Sequence, residues 1–510
     1  MKRMYKRLMA VVFLAAIFVS CKKQLLDINT DPNNPTTASA SPELVLSAAL
    51  QNTAAQFSNP TADARFAFAG LWMGHISYSG NYAIATENIS YAITNNFAAG
   101  AFGSIYDNLE DYDFIEKKGA EIGNVFYRGI GMLMKAYNYQ TLVDLYGNIP
   151  YTEALQGTVA SKPKYDDQKA IYDDLGKRMD TAIALLKTAV TGSISGDVMF
   201  AGDATKWVKF ANTVKLRLLI RQSQKADRAA YITAESAKLA GASFLDVDAS
   251  VNPGYLNSAG KTNPFWGANI NTSGTYTQDF YRAGQYLIDF SVAHDDTARL
   301  KSWFKKAAST GAYQGNYFGD QGIPNSKTSE FGPGVLKSFS QAAIIMSAAE
   351  SYFLQAEAAA RGWISGTPKT LYETGVTKSF VLLGATRPPI RNVANTADSI
   401  TYTPTQSAAI YYSRPGDKET NWAATTNLQE QIALIIRQKW AALSLINELE
   451  PYNDYRRLKL PADVPLSTSP FSTGKMPTRL LYPQREYEVN AGSVQAVGTI
   501  TPTTNVWWMP

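Results

Sequence analysis

Apolar side chains recur at spacings of three and four along most of this chain, a period that commits it to helices packed through one face. Between residues 166 and 190 the series is Ile171, Leu175, Met179, Ala182, Ile183 and Leu186. Trp207, Phe210, Ala211, Val214 and Leu218 repeat it, as do Ile345, Ala349, Tyr352, Phe353, Ala356 and Ala360. The same pattern predicts helices near residues 43–57, 101–118, 125–145, 228–240, 284–306, 367–383 and 428–449. Several fall in neighbouring pairs with short turns: 124–146 with 167–190, 205–222 with 228–241, and 342–362 with 368–381. Pairs of this length are the unit of tetratricopeptide arrays, although no clean repeat of about 34 residues is present. The expected fold is mainly α, a single domain on a tetratricopeptide-like helical-pair scaffold with long irregular, aromatic-rich loops.

Cys21 is the only cysteine in the 510 residues, so no internal disulfide forms and stability must come from burial. It follows a cationic start, Lys2, Arg3, Lys6 and Arg7, and an apolar run over residues 8–19. That run is too short to span a bilayer, and with its charged flank it reads as a secretory signal. Two readings of the thiol compete. In one it is incidental; in the other Phe18-Val19-Ser20-Cys21 is a lipobox and acylated Cys21 becomes the first mature residue. The position of the lone thiol at the end of the apolar run favours lipidation, which would hold a folded body at a membrane. The expected organisation is a signal peptide over 1–20, a lipidated flexible tether over 21–42 and one binding domain over 43–510. Removing the leader's four cations takes the formal charge from +5 to about +1, leaving no basic surplus suited to nucleic acid.

With 29 Tyr, 22 Phe and 9 Trp the chain has rings enough for both a core and a binding surface. Trp207, Trp363 and Trp440 lie within helical patterns and read as packing residues. Helix-poor stretches rich in aromatics, Asn and Gly interrupt the pairs at 70–99, 246–279, 311–334 and 387–427. Long irregular segments in compact proteins are commonly functional. Within them, rings sit close to amides, and a flat ring beside hydrogen-bonding amides suits a sugar, with its C–H face and hydroxyl rim. The candidate ligand set is therefore Trp72, Tyr78, Asn81, Tyr82, Trp266, Asn269, Tyr276 and Trp422. The alternative is that these rings only pin long loops to the body.

Several chemistries are set aside. His75 and His294 are the only histidines and neither sits in a recognisable motif, which argues against a histidine-rich zinc site or a Ser or Cys triad. The stretch from Gly254 to Thr262 resembles a phosphate loop but has one spacer residue too many. The acidic and amide residues from Asp27 to Asn34 have Pro32 where a calcium loop needs Gly, and Ala38 where it needs Glu. No metal or cofactor is expected. Paired carboxylates acting on a glycosidic bond stay open, because 43 Asp and Glu always include candidates.

Seven motifs in order carry a family resemblance. Asp27-Ile28-Asn29-Thr30-Asp31-Pro32-Asn33 is followed by Tyr146-Gly147-Asn148-Ile149-Pro150-Tyr151 and by Lys206-Trp207-Val208-Lys209-Phe210. Then come Glu357-Ala358-Ala359-Ala360-Arg361-Gly362-Trp363, Gln438-Lys439-Trp440 with Asp454-Tyr455-Arg456-Arg457, Arg479-Leu480-Leu481-Tyr482-Pro483 and Val506-Trp507-Trp508. The chain resembles the SusD/RagB-like nutrient-binding outer-membrane lipoproteins of Bacteroidota-type bacteria. The resemblance implies a non-catalytic protein, lipid-anchored in the outer membrane and facing the cell surface. It implies a lid on a TonB-dependent transporter of the SusC/RagA type, capturing a glycan or other oligomeric nutrient. It transfers no ligand residues, because the shared motifs are structural.

Overall fold

The computed structural model describes residues 40–62, 64–83, 86–391 and 399–510. The expected signal peptide, Cys21 and the expected tether up to residue 39 lie outside the described residues.

Nine helices carry the body: α1 Pro42–Phe57, α2 Gly100–Glu121, α3 Val125–Tyr146, α4 Gln168–Thr188, α5 Ala204–Arg221, α6 Ala348–Ala360, α7 Pro368–Leu383, α8 Leu428–Leu443 and α9 Leu449–Leu458. Most start where a side-chain oxygen takes up otherwise unpaired N–H groups. Asn124 accepts from Phe126 and Tyr127, Asp167 from Lys169 and Ala170, Asp203 from Lys206, and Ser347 from Glu350. Packing proceeds in succession: α1 on α2, α2 on α3, α3 on α4, α4 on α5, then α5 on α6, and α6 on both α7 and α8. Close approach at the α2–α3 crossing depends on Gly131, where a Cβ would meet the Glu116 backbone nitrogen at 2.6 Å. The fold is mainly helical, as the periodicity predicts, and strands are limited to two-stranded antiparallel pairs among the described residues. No described helix is long and apolar enough to cross a membrane.

Four details differ from the sequence expectation. The predicted helix over 284–306 is two helices, Gln285–Ala293 and Thr297–Trp303, broken where Asp295 takes a positive φ of 53°. The pattern over 428–449 ends early, at Leu443, and resumes as α9 beyond Leu445, whose φ is 60°. Ile345 belongs to a strand, Ala343–Met346, paired with Ala249–Val251. Within 387–427, expected to be irregular, Pro404–Tyr412 is helical, started by a reciprocal Thr403–Gln406 capping box.

A lattice of buried charges joins α3, α5, α6, α8 and α9. Arg221 bonds Asp144 at 3.1 Å and Glu450 at 2.7 Å, while Arg217 contacts Glu350 at 3.5 Å and Gln140 at 3.2 Å. Lys439 meets Asp454 at 3.0 Å, and Arg457 grips Glu357 with two bonds of 2.6 and 2.8 Å. Arg361 adds a third contact to Glu357 at 2.8 Å. The Trp508 indole donates to Asp144 at 2.9 Å, and its ring lies 4.8 Å from the Arg456 guanidinium.

Burial alone would push the Glu357 carboxyl up, but Arg457 and Arg361 outweigh it and hold the group at about 2, against an ordinary 4.5. A depressed carboxyl stabilises the fold above its unfolded value and loses that contribution as pH falls toward its folded one. Glu357→Gln should therefore lower unfolding free energy at pH 7 by about 3–5 kcal/mol, because it strands buried guanidinium charge. It should also flatten the loss of stability between about pH 4.5 and pH 2. Urea unfolding at pH 7 and pH 3 measures both; an acid limb identical to wild type would contradict the pairing.

Candidate functional site

The irregular segments at 74–83 and 311–334 converge on a second short strand pair, Ile76–Tyr78 with Tyr281–Ala283. Asn316, buried, is the tie between them. Its side-chain N–H groups donate to the Tyr78 and Ile323 carbonyls, both at 2.9 Å, and its oxygen accepts from the Ile323 amide at 3.0 Å. This closes residues 316–323 into an arch fixed to the strand. Gly80 then donates to the Ile323 carbonyl at 2.7 Å, and Gln321 donates to the Tyr82 carbonyl at 3.0 Å. A third loop joins at Gly319, where φ is +93° and a Cβ would meet the Ser469 nitrogen at 2.6 Å. Thr468 donates there to the Phe318 carbonyl at 2.9 Å.

The result is a rigid face with a groove of about 570 Å³, whose lining includes Gln285, Tyr313, Gln314, Tyr317, Asp320 and Ile323. Tyr317 is 42% exposed and Tyr82 38% exposed, a high share for rings of this size. Tyr82 stands edge-on to Phe280, with centroids 5.8 Å apart. The Tyr317 hydroxyl donates to Asp289, which also accepts from Gln285 Nε2 at 2.7 Å; Gln285 Oε1 in turn takes the Gly315 amide at 2.9 Å. The bond to Asp289 pushes the Tyr317 phenol up, keeping its proton in place as a donor. Asn81, exposed at a positive φ of 74°, makes no side-chain hydrogen bond among the described residues. Exposed rings, amides and carboxylates in one rigid groove can stack on an apolar ligand face and pair with its hydroxyls.

Of the eight side chains expected from sequence to contact ligand, Asn81 and Tyr82 reach this face. Three are core residues instead. Trp72 is 0% exposed, stacked on Phe97 at 5.8 Å with Phe68, Tyr91 and Tyr452 around it. Tyr78 is buried, its hydroxyl accepting from Asn88 at 2.8 Å, and buried Asn269 donates to the Phe265 carbonyl. A side chain without exposed surface offers a ligand nothing, so the loop-pinning alternative holds for these three. Trp266, Tyr276 and Trp422 are half-buried elsewhere. Trp266 sits in the helix Pro264–Asn269, Tyr276 lies under Arg282 and Lys305, and Trp422 rests on Tyr372. Tyr313, Tyr317, Gln285 and Asp289, which this face also brings together, are not among the residues expected from sequence, although the aromatic character of the 311–334 stretch was the available signal for the first two.

Both histidines have structural partners: buried His75 bonds Glu448, and His294 meets Asp417 at 3.0 Å. Among the described residues no group of His, Cys, Asp and Glu is arranged to hold a metal.

A family profile described as starch-binding, associating with outer membrane, matches residues 32–483. The chain belongs to the SusD-like family. A search of curated proteins returns no match. Among solved structures it is similar to a SusD homolog from Bacteroides fragilis, with 20% identity and a TM-score of 0.71, covering 92% of this chain and 99% of that one. A SusD-like protein from Bacteroides thetaiotaomicron gives 23% identity and a TM-score of 0.72, covering 92% and 99%. A chitin-binding SusD homolog from Flavobacterium johnsoniae gives 23% and 0.72, covering 91% and 98%. At these identities the structural matches establish the SusD-like fold. SusD-like proteins are non-catalytic binding proteins of the outer membrane, so this chain is a binding protein and the hydrolase alternative is set aside.

The burial difference is directly testable. Trp72→Ala should cost about 3–5 kcal/mol of unfolding free energy, as large-to-small core changes do. Tyr82→Ala should stay within about 1 kcal/mol of wild type. Thermal or urea unfolding of both variants separates core from face.

Proposed function

We propose that this SusD-like chain is a lipid-anchored lid that captures an oligosaccharide, or a similar oligomer, on the Tyr82–Tyr317 face. It would then deliver the ligand to a TonB-dependent transporter of the SusC/RagA type. The observation that carries the reading is exposed Tyr317, oriented by Asp289 in a groove closed by Asn316, with exposed Tyr82 tied to the same arch through Gln321. Preorganised rings give up little side-chain entropy when a ligand stacks on them. The carboxylates and amides at the rim, Asp289, Asp320, Gln285 and Gln314, suit a hydroxyl-rich ligand, which both donates and accepts. The family description names starch, and one structural neighbour binds chitin, which supports a glycan over other oligomers. Acylation at Cys21 and display toward the cell surface complete the proposal, since a tethered receptor profits from high effective concentration beside its channel.

Isothermal titration against a panel of neutral and amino-sugar oligosaccharides tests the capture step. Tyr317→Ala should weaken the best ligand at least tenfold, about 1.4 kcal/mol, while leaving the melting temperature within a few degrees of wild type. Tyr82→Ala should act in the same direction. Full affinity in both variants would remove this face from consideration. Metabolic palmitate labelling, with Cys21→Ala expected to leave the membrane fraction, tests the anchor separately.

A further inference from the structure

A larger groove, of about 690 Å³, lies on different elements and shares no lining residue with the tyrosine face. Its floor is α2, presenting Phe102 and Tyr106; its walls are the excursion 150–163 and the short helix Gln484–Val489. The Tyr106 hydroxyl is turned inward to the Pro150 carbonyl at 2.6 Å, so the floor offers carbon and not a phenol. The walls are fixed before any ligand arrives. Tyr165 donates to Glu486 at 2.8 Å, Asn490 donates to the Pro163 carbonyl at 2.8 Å, and Asn95 donates to the Tyr482 carbonyl at 2.7 Å. Pro150, Leu155, Pro163, Pro483 and Val489 make the walls largely apolar.

The charges in the groove are unbalanced. Asp107 and Glu110, three residues apart on one face of α2, make no hydrogen bond or ion pair among the described residues. With Glu486 they set three carboxylates against the single cation of Arg485. The nearby lysines are already engaged: Lys117 bonds Asp113 at 2.6 Å, and Lys135 bonds Asp113 and Glu116. Burial, then the neighbouring Asp113, pushes the Glu110 carboxyl up, and Lys117 and Lys135 offset this only in part. Across a ridge formed by Ala154 and Leu155 the concavity continues into a second cleft of about 340 Å³.

We propose that this groove docks an extended peptide segment of a partner protein, one that places a Lys or Arg side chain between aliphatic or proline residues. An aliphatic stem would lie along Tyr106 and the Pro150, Leu155 and Pro163 wall while its cationic head meets Asp107 and Glu110. The Asn96 side chain, exposed and without a hydrogen bond among the described residues, is available to a peptide amide. A glycan is the poorer occupant, because the floor rings are largely covered and leave no broad face for stacking. The assignment does not depend on what the tyrosine face binds.

The test uses the full mature protein and a set of blocked, fluorescein-labelled hexapeptides. Each carries Lys, Arg, Gln or Glu at one central position between Leu, Val or Pro, and binding is read by fluorescence polarisation. Lys and Arg peptides should saturate the protein at least tenfold more tightly than their Glu counterparts. The double change Asp107→Asn with Glu110→Gln, nearly isosteric and on an exposed helix face, should erase that preference without moving the melting temperature. Tyr317→Ala should leave peptide binding unchanged. The proposal is overturned by any of three results: no saturation by the Lys and Arg peptides, equal binding of Lys and Glu peptides, or loss of binding in Tyr317→Ala.

Discussion

Everything in this fold is registered against a buried lattice of ions. Asp144, Arg217, Arg221, Glu350, Glu357, Lys439, Glu450, Asp454 and Arg457 are all buried, and they come from five helices spread between Val125 and Leu458. Taking so many charges out of water is costly, and only dense mutual pairing offsets it. Helices packed by leucine and alanine alone can slide by a turn with modest loss. A guanidinium that must meet two named carboxylates cannot, so the lattice sets one relative placement of α3, α5, α6, α8 and α9. Burial raises Glu350, while the surrounding cations hold Glu450 below its ordinary range.

The same lattice explains why family membership was easier to read than the binding face. Glu357, Arg361, Lys439, Asp454, Arg456, Arg457 and Trp508 are the residues of the recognisable motifs, and all of them serve internal pairing. A motif whose task is to close the scaffold carries no information about a ligand. Helix positions were legible for a related reason: an amphipathic period records which side of a helix is dry, and α1, α3, α4 and α7 fall within a few residues of expectation.

The proposed binding face was only partly legible, because exposure in an irregular segment is decided largely by contacts far away in sequence. Trp72 and Tyr82 lie ten residues apart in the same helix-poor stretch, yet one is sealed by Phe97 and Tyr452 and the other is open. Trp72 closes the short apolar helix Ala67–Trp72, whereas Tyr82 follows Gly80 and Asn81 in a turn. What opens Tyr82 and Tyr317 is Asn316, which reaches a strand 238 residues earlier to hold the arch in place. The missed helix at Pro404–Tyr412 is a different case, since Thr403, Pro404 and Gln406 spell a start signal that is readable without tertiary information.

Asp144 and Trp508 are 364 residues apart, and the indole supplies one of the donors on that carboxylate. A chain stitched across such a span has no seam along which it could be divided. Pieces expressed separately would each carry half of a charge lattice into a low-dielectric interior, with no counter-ions to meet it. A loop that hangs from the lattice can change without stranding a buried charge. If the proposed face holds the ligand, rewriting an arch such as 316–323 would change what is held while the paired helices beneath it stay as they are.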